Sequence, residues 1–293
     1  MTTPLRVLIA IDGSDTALAA ARCWAGWQGG AERPLHALLL AAAPPLPHAW
    51  QMADSEAGAV ERALTRVGEP QLAEARELFA GGALAWEAAV RIGEPAATIV
   101  AEAQRQRADL IVIGSRGLTP LAGLLLGSVA LRVTQTSTVP VWLAPPQAPC
   151  PPALGKRLRL LVAVDASPSA LVAAQWAAHH ALRFGEVDLE LVAVQPPIAP
   201  LPAAGGGAWR ERIGQTALET VRAALPPTSA RVESRVCTGE TVTTLLARAD
   251  ETGADAIVVG PRGLGAVGQA LLGSVTSALL QISRRPLIVV GGG

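Results

Sequence analysis

The sequence predicts an α/β protein with two tandem, doubly wound domains, each built on a five-stranded parallel sheet. Three observations support this fold class: the chain has 293 residues of which 50% are hydrophobic, its first half recurs in its second half, and each half alternates strand patterns with helix patterns. This length favours two domains, and the hydrophobic content excludes a disordered chain. Strands that alternate with helices are typical of parallel sheets covered by helices on both faces.

The repeat is visible when the chain is aligned with itself. The segment RVLIAIDGS that starts at Arg6 returns as RLLVAVDAS at Arg159, and ADLIVIG at Ala108 returns as ADAIVVG at Ala254. The offset is 153 residues for the first pair and 146 for the second, so the first copy is slightly longer in its middle. A duplication of this kind predicts two domains of one fold.

Proline-rich sequence separates the two copies. Residues 145–152 read PPQAPCPP, a composition that fits neither a helix nor the interior of a sheet. We therefore predict domain 1 over residues 1–146, a proline-rich linker over 147–155 and domain 2 over 156–293.

The first copy opens with a strand and a helix. Val7–Ile11 is a continuous apolar run, which is typical of a buried parallel strand. The alanine-rich sequence that follows favours a helix, with Ser14 or Asp15 as its N-cap. The next elements in chain order are a strand, a helix and a strand, at Ala37–Ala42, Asp54–Leu78 and Leu84–Val90.

The remaining elements of the copy surround a glycine-rich loop. Glu94 and Pro95 open a helix, because proline at the first helical position lacks only an N–H that has no helical partner there. The fourth strand is Leu110–Ile113, and the loop follows it directly. A helix from Ser128 and a strand at Val141–Leu143 complete the copy, and the second copy has the same order.

The loop has the same spacing in both copies. Its glycines and the serine after them are Gly114, Gly117, Gly127 and Ser128 in the first copy, and Gly260, Gly263, Gly273 and Ser274 in the second. A loop between a strand and a helix presents backbone N–H groups at the positive end of the helix dipole, and glycine lets an anion approach closely. This geometry suits a nucleotide phosphate, and the serine could cap the helix or donate to a phosphate oxygen. Ordinary turn chemistry is the alternative.

An aspartate ends the first strand of each copy, Asp12 and Asp165. In doubly wound sheets, ligands bind beyond the carboxyl ends of the strands where neighbouring connections diverge. If the first and fourth strands are neighbours, each aspartate and its glycine loop flank one crevice. The carboxylate could then accept hydrogen bonds from ribose hydroxyls, or it could serve only as a turn or cap residue.

Other ligand classes are excluded or disfavoured. A P-loop needs lysine after its glycines, but the only lysine is Lys156, in the linker region where the second copy begins. A dinucleotide site needs G-x-G-x-x-G after the first strand, and the sequence has none there. The 24 basic and 24 acidic residues cancel and aromatic residues make up 3%, which does not fit a nucleic-acid surface. No apolar stretch approaches the ~20 residues of a membrane helix. We expect no nucleic-acid, membrane or protein-held metal site.

Three cysteines, Cys23, Cys150 and Cys237, lie far apart in the sequence. Their odd number and wide spacing indicate neither a disulfide framework nor a zinc site. We expect unpaired thiols and a protein of the reducing cytoplasm.

Both copies resemble the universal stress protein family, in its ATP-binding branch, whose mark is G-x2-G-x9-G-Ser/Thr. The resemblance covers nearly the whole chain and includes the first-strand aspartate followed by Gly/Ala-Ser. It implies an adenine-nucleotide alpha-hydrolase-like fold, ATP or another adenine nucleotide as ligand, with or without Mg²⁺, and a regulatory role in the stress response. It also implies a homodimer; the regulatory protein partner is not identified.

The nucleotide-binding residues that we expect combine the loops, the first-strand aspartates, the ends of the second strands and the loop arginines. Arg116 and Arg262 could reach a phosphate or form exposed salt bridges. The expected residues are Asp12, Ala42, Gly114, Arg116, Gly117, Gly127, Ser128 and Val129 in the first copy, and Asp165, Val194, Gly260, Arg262, Gly263, Gly273, Ser274 and Val275 in the second.

Two further expectations concern activity and asymmetry. Hydrolysis of ATP should be slow or absent, because the loops lack a lysine, paired carboxylates and a Ser-His-Asp arrangement. Pro261 replaces Ser115 and removes an N–H donor from the second loop, so we expect the second site to bind no more tightly than the first. The alternatives are a slow ATPase or nucleotidyl-transfer enzyme on the same fold, and a scaffold that binds no nucleotide.

Overall fold

The computed structural model describes residues 4–27, 35–44, 57–82, 84–116, 126–146, 148, 150, 157–184, 186–195, 206–263 and 272–291. The chain divides into two compact units, Met1–Ala153 and Leu154–Gly293. Most of the proposed linker, 147–155, and the loop residue Gly117 lie outside the described residues, so the linker bounds stay a prediction.

The first unit has the predicted parallel sheet of five strands. The order across the sheet is β3-β2-β1-β4-β5, and every described pairing is parallel. Its strands are β1 Leu5–Ala10, β2 Leu35–Ala43, β3 Ala85–Ile92, β4 Leu110–Gly114 and β5 Val141–Ala144. Its helices are α1 Asp15–Ala25, α2 Ala57–Ala80, α3 Pro95–Arg105 and α4 Ser128–Thr136. The central strands are almost fully buried, which accounts for their continuous apolar sequences.

The connections of this sheet diverge between β1 and β4. These two strands pair from Val7↔Leu110 to Ile9↔Val112, which confirms the expected neighbourhood of the first and fourth strands. Because crossover connections are right-handed, the helices before and after the reversal cover opposite faces. Accordingly, α1 packs with α2 and α3 packs with α4. In doubly wound sheets this divergence, at the carboxyl ends of β1 and β4, is the place where ligands bind.

The second unit repeats this topology. Its sheet order is β8-β7-β6-β9-β10, again with parallel pairings. Its strands are β6 Leu158–Ala163, β7 Val187–Gln195, β8 Arg231–Thr238, β9 Ala256–Val259 and β10 Leu287–Val289. Its helices are α5 Pro168–Phe184, α6 Gly206–Ala223, α7 Thr241–Thr252 and α8 Ser274–Ile282. None of the helices in the part of the chain described is both long and apolar enough to span a bilayer.

The expectation of unpaired thiols is wrong for two of the three cysteines. Cys23 of α1 and Cys150 form a disulfide, with their Cα atoms 4.9 Å apart, and Cys237 is free. The separation of 127 residues hides this pair in the sequence. The fold brings them together because α1 packs on β5 through Trp24 and Trp142, whose rings are 5.5 Å apart. The cysteines therefore no longer support a reducing compartment.

The third helix of the first unit buries a carboxylate. Glu102 of α3 is 5% exposed, lies 3.3 Å from Arg91 of β3 and pairs with Arg105 one turn away. The hydrogen bond from Arg105, helped by Gln106 and the charge of Arg91, overcomes the effect of burial and lowers the pKa of Glu102 to about 2. The carboxylate therefore stays charged inside the fold.

The second unit has a similar cluster with the charges reversed. Arg248 of α7 stands at the position of Glu102, lies 2.7 Å from Glu190 of β7 and lies 3.1 Å from Glu251. Arg235 approaches Glu190 to 3.5 Å from the neighbouring strand. Each copy thus balances its central charge by opposite charges on the same helix and on the sheet.

Candidate functional site

The first loop glycine lies under the start of a helix. A Cβ atom on Gly114 would lie 2.7 Å from Thr16 Oγ1 and 2.9 Å from the Ala17 nitrogen. A Cβ atom on Gly260 would lie 2.7 Å from Ser169 Cβ. Glycine is therefore required here because α1 and α5 approach the strand ends closely, with or without a ligand.

The aspartate of each copy shapes the turn into that helix. The backbone N–H and the hydroxyl of Ser14 both donate to Asp12 Oδ1, at 2.9 and 2.5 Å. Ser14 is also the N-cap of α1, and its hydroxyl accepts from the Ala17 N–H. In the second unit the Ser167 N–H donates to Asp165 Oδ1 at 3.0 Å. One oxygen of each carboxylate thus has the turn role that the sequence left as an alternative.

The far end of each loop leads into a helix without a side-chain cap. The N-caps are Gly127 and Gly273, and neither α4 nor α8 has a capping hydrogen bond from a side chain. In contrast, α1, α3 and α7 are capped by Ser14, Glu94 and Glu240. The cap role considered for Ser128 and Ser274 is therefore wrong, because both are already the first residue of their helix. The first N–H groups of these two helices remain without a side-chain acceptor in the described residues.

A backbone hydrogen bond closes each loop. The Gly127 N–H donates to the Ser115 carbonyl at 2.7 Å, and the Gly273 N–H donates to the Pro261 carbonyl at 2.8 Å. The helix start is thereby held beside the strand end. In the first unit this bond brings the loop residues to the carboxyl ends of β1 and β4, where Asp12 also lies. These residues are Gly114, Gly127, Ser128 and Val129.

The second unit has a cavity of about 560 Å³ at the carboxyl ends of β6 and β9. This volume is typical of small-molecule sites. Every residue that the sequence predicted for the second site lines it: Asp165, Val194, Gly260, Arg262, Gly263, Gly273, Ser274 and Val275. Apolar side chains also line the cavity, among them Val164, Val192 and Leu245. Among the described residues, no group of His, Cys, Asp and Glu side chains could hold a metal ion.

The first unit places its predicted residues in the corresponding positions. Ala42 lies near the carboxyl end of β2, next to β1, and Arg116 is an exposed loop residue. The Arg116 carbonyl accepts a hydrogen bond from Thr16 Oγ1, so the loop start and the start of α1 are joined directly. Gly117 lies outside the described residues.

The structure gives Pro261 a different meaning from the one expected. At the equivalent position the Ser115 N–H donates to the Ala144 carbonyl at 2.9 Å, which extends the pairing of β4 with β5. The donor that Pro261 lacks is therefore a sheet donor and not a ligand donor. The reason for expecting the second site to bind no more tightly than the first is therefore removed.

Some residues around the site were missed in the sequence. Thr241 and Leu245 of α7 and Ala170 of α5 line the second cavity, and no motif marks them. Thr16 and Ser169 had a signal that went unused: each is a hydroxyl residue four positions after the aspartate, in both copies.

Comparison with known proteins identifies the family of the chain. The model of the universal stress protein family matches residues 5–145 and 156–291. A universal stress protein from Mycolicibacterium smegmatis is 32% identical over 192 residues, which are 62% of this chain and 62% of that protein. One from Thermus aquaticus is 34% identical over 143 residues, 47% of this chain and 96% of that protein.

A solved structure shows the same fold over nearly the full length. The crystal structure of a universal stress protein from Archaeoglobus fulgidus superimposes with a TM-score of 0.67 at 20% identity, covering 98% of both chains. This chain spans 62% of the M. smegmatis relative, so the likeness covers part of that protein. The two matches to the family model together cover almost all of the chain, and the chain belongs to the universal stress protein family.

Proposed function

We propose that each copy binds an adenine nucleotide, with ATP as the main ligand, and that the chain acts as a nucleotide-dependent regulatory module in the stress response. The observation that carries this proposal is the pair of helix starts, α4 and α8. Each follows a glycine loop at the divergence of the sheet connections and has no side-chain cap. Such a helix start favours an anion, because its N–H groups and dipole both attract negative charge.

The rest of the second cavity suits the remaining parts of a nucleotide. The phosphates would lie between Gly263 and Ser274, and the base would lie against the apolar residues Val164, Val192 and Leu245. Asp165, which also lines the cavity, would accept hydrogen bonds from the ribose hydroxyls. Mg²⁺, where present, would be held mainly by the phosphate oxygens, which are its preferred ligands.

Binding is a better-supported role than catalysis. Transfer of a phosphoryl group needs an oriented nucleophile and neutralisation of the developing charge, and the loops carry only Arg116 and Arg262 as cations. A slow ATPase or nucleotidyl-transfer enzyme is the rival. Steady release of phosphate that the site variants below abolish would favour that rival.

The proposal extends to assembly and location. We infer that the chain forms a homodimer, and family membership supports this inference. We also infer that it acts in the cytoplasm, where ATP is abundant, and that its partner is a regulatory protein. The Cys23–Cys150 disulfide is the observation that argues for a more oxidising location. Alkylation of thiols during cell lysis, followed by mass spectrometry, separates the two cases.

The test places a negative charge at the first turn of α4 and α8. An aspartate carboxylate interacts favourably with the positive end of the helix dipole, so the fold should stay intact, but it repels phosphate. We expect the double variant Ser128→Asp with Ser274→Asp to lose at least about a hundredfold in affinity for Mg-ATP, measured by calorimetry.

The matched control is Ser128→Asn with Ser274→Asn, which has nearly the same shape and no charge. We expect this variant to keep most of the affinity, and thermal unfolding should show that both variants are folded. Equal ATP binding by the Asp and Asn variants would contradict a phosphate site at these helix starts. Absence of binding by the native chain would leave the scaffold alternative.

A further inference from the structure

One hydroxyl group reaches the glycine loop in both units. Thr16 Oγ1 donates to the carbonyl of Arg116, and Ser169 Oγ donates to the carbonyl of Arg262. Thr16 and Ser169 are each the second residue of their helix, α1 and α5. We refer to these two groups as the anchor hydroxyls.

The anchor hydroxyls belong to a short chain of polar contacts. Thr16 Oγ1 lies 3.2 Å from Ser14 Oγ, which is bonded to Asp12. Ser169 Oγ lies 3.2 Å from Ser167 Oγ, and the N–H of Ser167 donates to Asp165. Two copies that differ in most residues, and that carry threonine in one case and serine in the other, keep the same connection from the aspartate turn to the loop carbonyl.

The carbonyl that is held determines the direction of the next N–H. No cis peptide bond occurs in the described residues, and in a planar trans peptide the C=O and the following N–H point in opposite directions. The bond from Ser169 to the Arg262 carbonyl therefore sets the orientation of the Gly263 N–H. Gly263 lines the cavity, and an N–H of this peptide directed into the cavity would be a donor for an anion.

We propose that Thr16 and Ser169 are positioning residues for the nucleotide site of their copy. They act through the loop peptide and not by touching the ligand. The anchor hydroxyl holds this peptide in the orientation that phosphate needs before the nucleotide arrives, so binding does not have to order it. This inference rests on the proposed nucleotide function and adds to it which residues prepare the loop.

The position of the anchors predicts a selective effect. An oriented loop N–H matters to a ligand that carries phosphates and not to one that lacks them. Loss of the anchor should therefore weaken ATP and leave adenosine unchanged. A general loss of structure would weaken both.

The experiment uses the full chain with Ser128→Asp, so that only the second site is read. In this background we expect Ser169→Ala to weaken Mg-ATP by about three- to tenfold, the effect of one lost hydrogen bond, and to change adenosine affinity by less than about twofold. Ser169→Thr should keep the ATP affinity of the background chain, because the first copy carries threonine at this position. The mirror pair, Thr16→Val and Thr16→Ser in the Ser274→Asp background, tests the first site.

The outcomes separate this inference from the proposed function. If the background chain binds ATP and Ser169→Ala binds it equally well, or loses ATP and adenosine to the same extent, the positioning role is refuted and the nucleotide site stands. If the native chain binds no ATP at either site, both proposals fall together. Binding of adenosine by Ser169→Ala also reports that its cavity is folded.

Discussion

In the first unit the glycine loop leaves β4 through Ser115, and in the second it leaves β9 through Pro261. The first loop is tied to β5 by the Ser115 N–H, a bond that proline cannot make. The second unit has Thr276 instead, whose buried hydroxyl donates to the Gly260 carbonyl at 2.8 Å. Ala130 stands at the corresponding place in the first copy. The strand end is therefore fastened in both units, by a backbone donor in one and a side-chain donor in the other.

The buried charge clusters differ in the same way. Glu102 is balanced by two arginines in the first unit, and Arg248 by two glutamates in the second. When single positions are compared, Ser115 with Pro261 and Glu102 with Arg248, the second copy lacks an interaction that the first copy makes. Comparison of whole clusters shows that the central residue and its partners have reversed charge together, so that opposite charges still meet in each unit. Removal of one partner of a buried ion pair is strongly destabilising.

The largest expected effect concerns the disulfide. Cys23→Ser with Cys150→Ser should lower the free energy of unfolding of the first unit by about 2–4 kcal/mol, since the bond closes a long loop of chain. Differential scanning calorimetry of the native chain and the variant measures this loss.

The unfolded native chain gives the control. Without reductant, one thiol per chain, that of Cys237, should react with an alkylating agent, and with reductant all three should react. Reaction of all three thiols without reductant would contradict the disulfide. An unchanged free energy of unfolding in the variant would show that the disulfide does not stabilise the first unit.

A smaller effect is expected from Glu102 and depends on pH. Because folding lowers the pKa of this carboxyl group from 4.5 to about 2, its stabilisation is complete above pH 4.5 and disappears as the pH falls toward 2. We expect Glu102→Gln to cost about 2–3 kcal/mol at neutral pH, since its half-exposed arginine partners are partly screened. The difference from the native chain should shrink steadily between pH 4.5 and 3.

The matched control for this experiment is Glu74→Gln. Glu74 also pairs with an arginine, Arg22, but both side chains are exposed, so its removal should cost less than about 0.5 kcal/mol. Denaturant unfolding across the pH range gives both values. A difference for Glu102→Gln that does not change with pH would show that its carboxylate is not held charged by the fold.

The smallest effect tests the replacement bond at the second loop. Thr276→Val keeps the shape and removes the hydroxyl from Gly260, and we expect a loss of about 1–2 kcal/mol in the second unit. Thr134→Val in the first unit is the control. Its hydroxyl donates to Ala130 within its own helix, so its loss should cost less. Equal losses in chemical unfolding would mean that Thr276 does not fasten the loop.

Much of this architecture could be predicted because it depends on local patterns and on the repeat. Continuous apolar runs identify buried parallel strands, and the spacing of the glycines predicts the edge of the sheet where the second cavity lies. Every residue expected at the second site does line that cavity. The two copies supported each other, since a pattern present at the same place in both is more informative than either alone.

The features that were misjudged depend on contacts between distant segments. Cys23 and Cys150 meet only once β5 has packed beside α1. The meaning of Pro261 depends on the partner of the Ser115 N–H, a carbonyl on another strand. The helix cap fell on Gly127 and not on the serine after it, since residue type alone does not determine the last non-helical position.

The most direct test is the stoichiometry of Mg-ATP binding to nucleotide-stripped protein, measured by calorimetry. Two loops with the same helix start predict two sites per chain, and Ser128→Asp or Ser274→Asp alone should each leave one. No heat at several temperatures, in protein shown by mass spectrometry to retain no ligand, would contradict the account. So would two sites that survive both substitutions, because nucleotide would then bind somewhere other than the glycine loops.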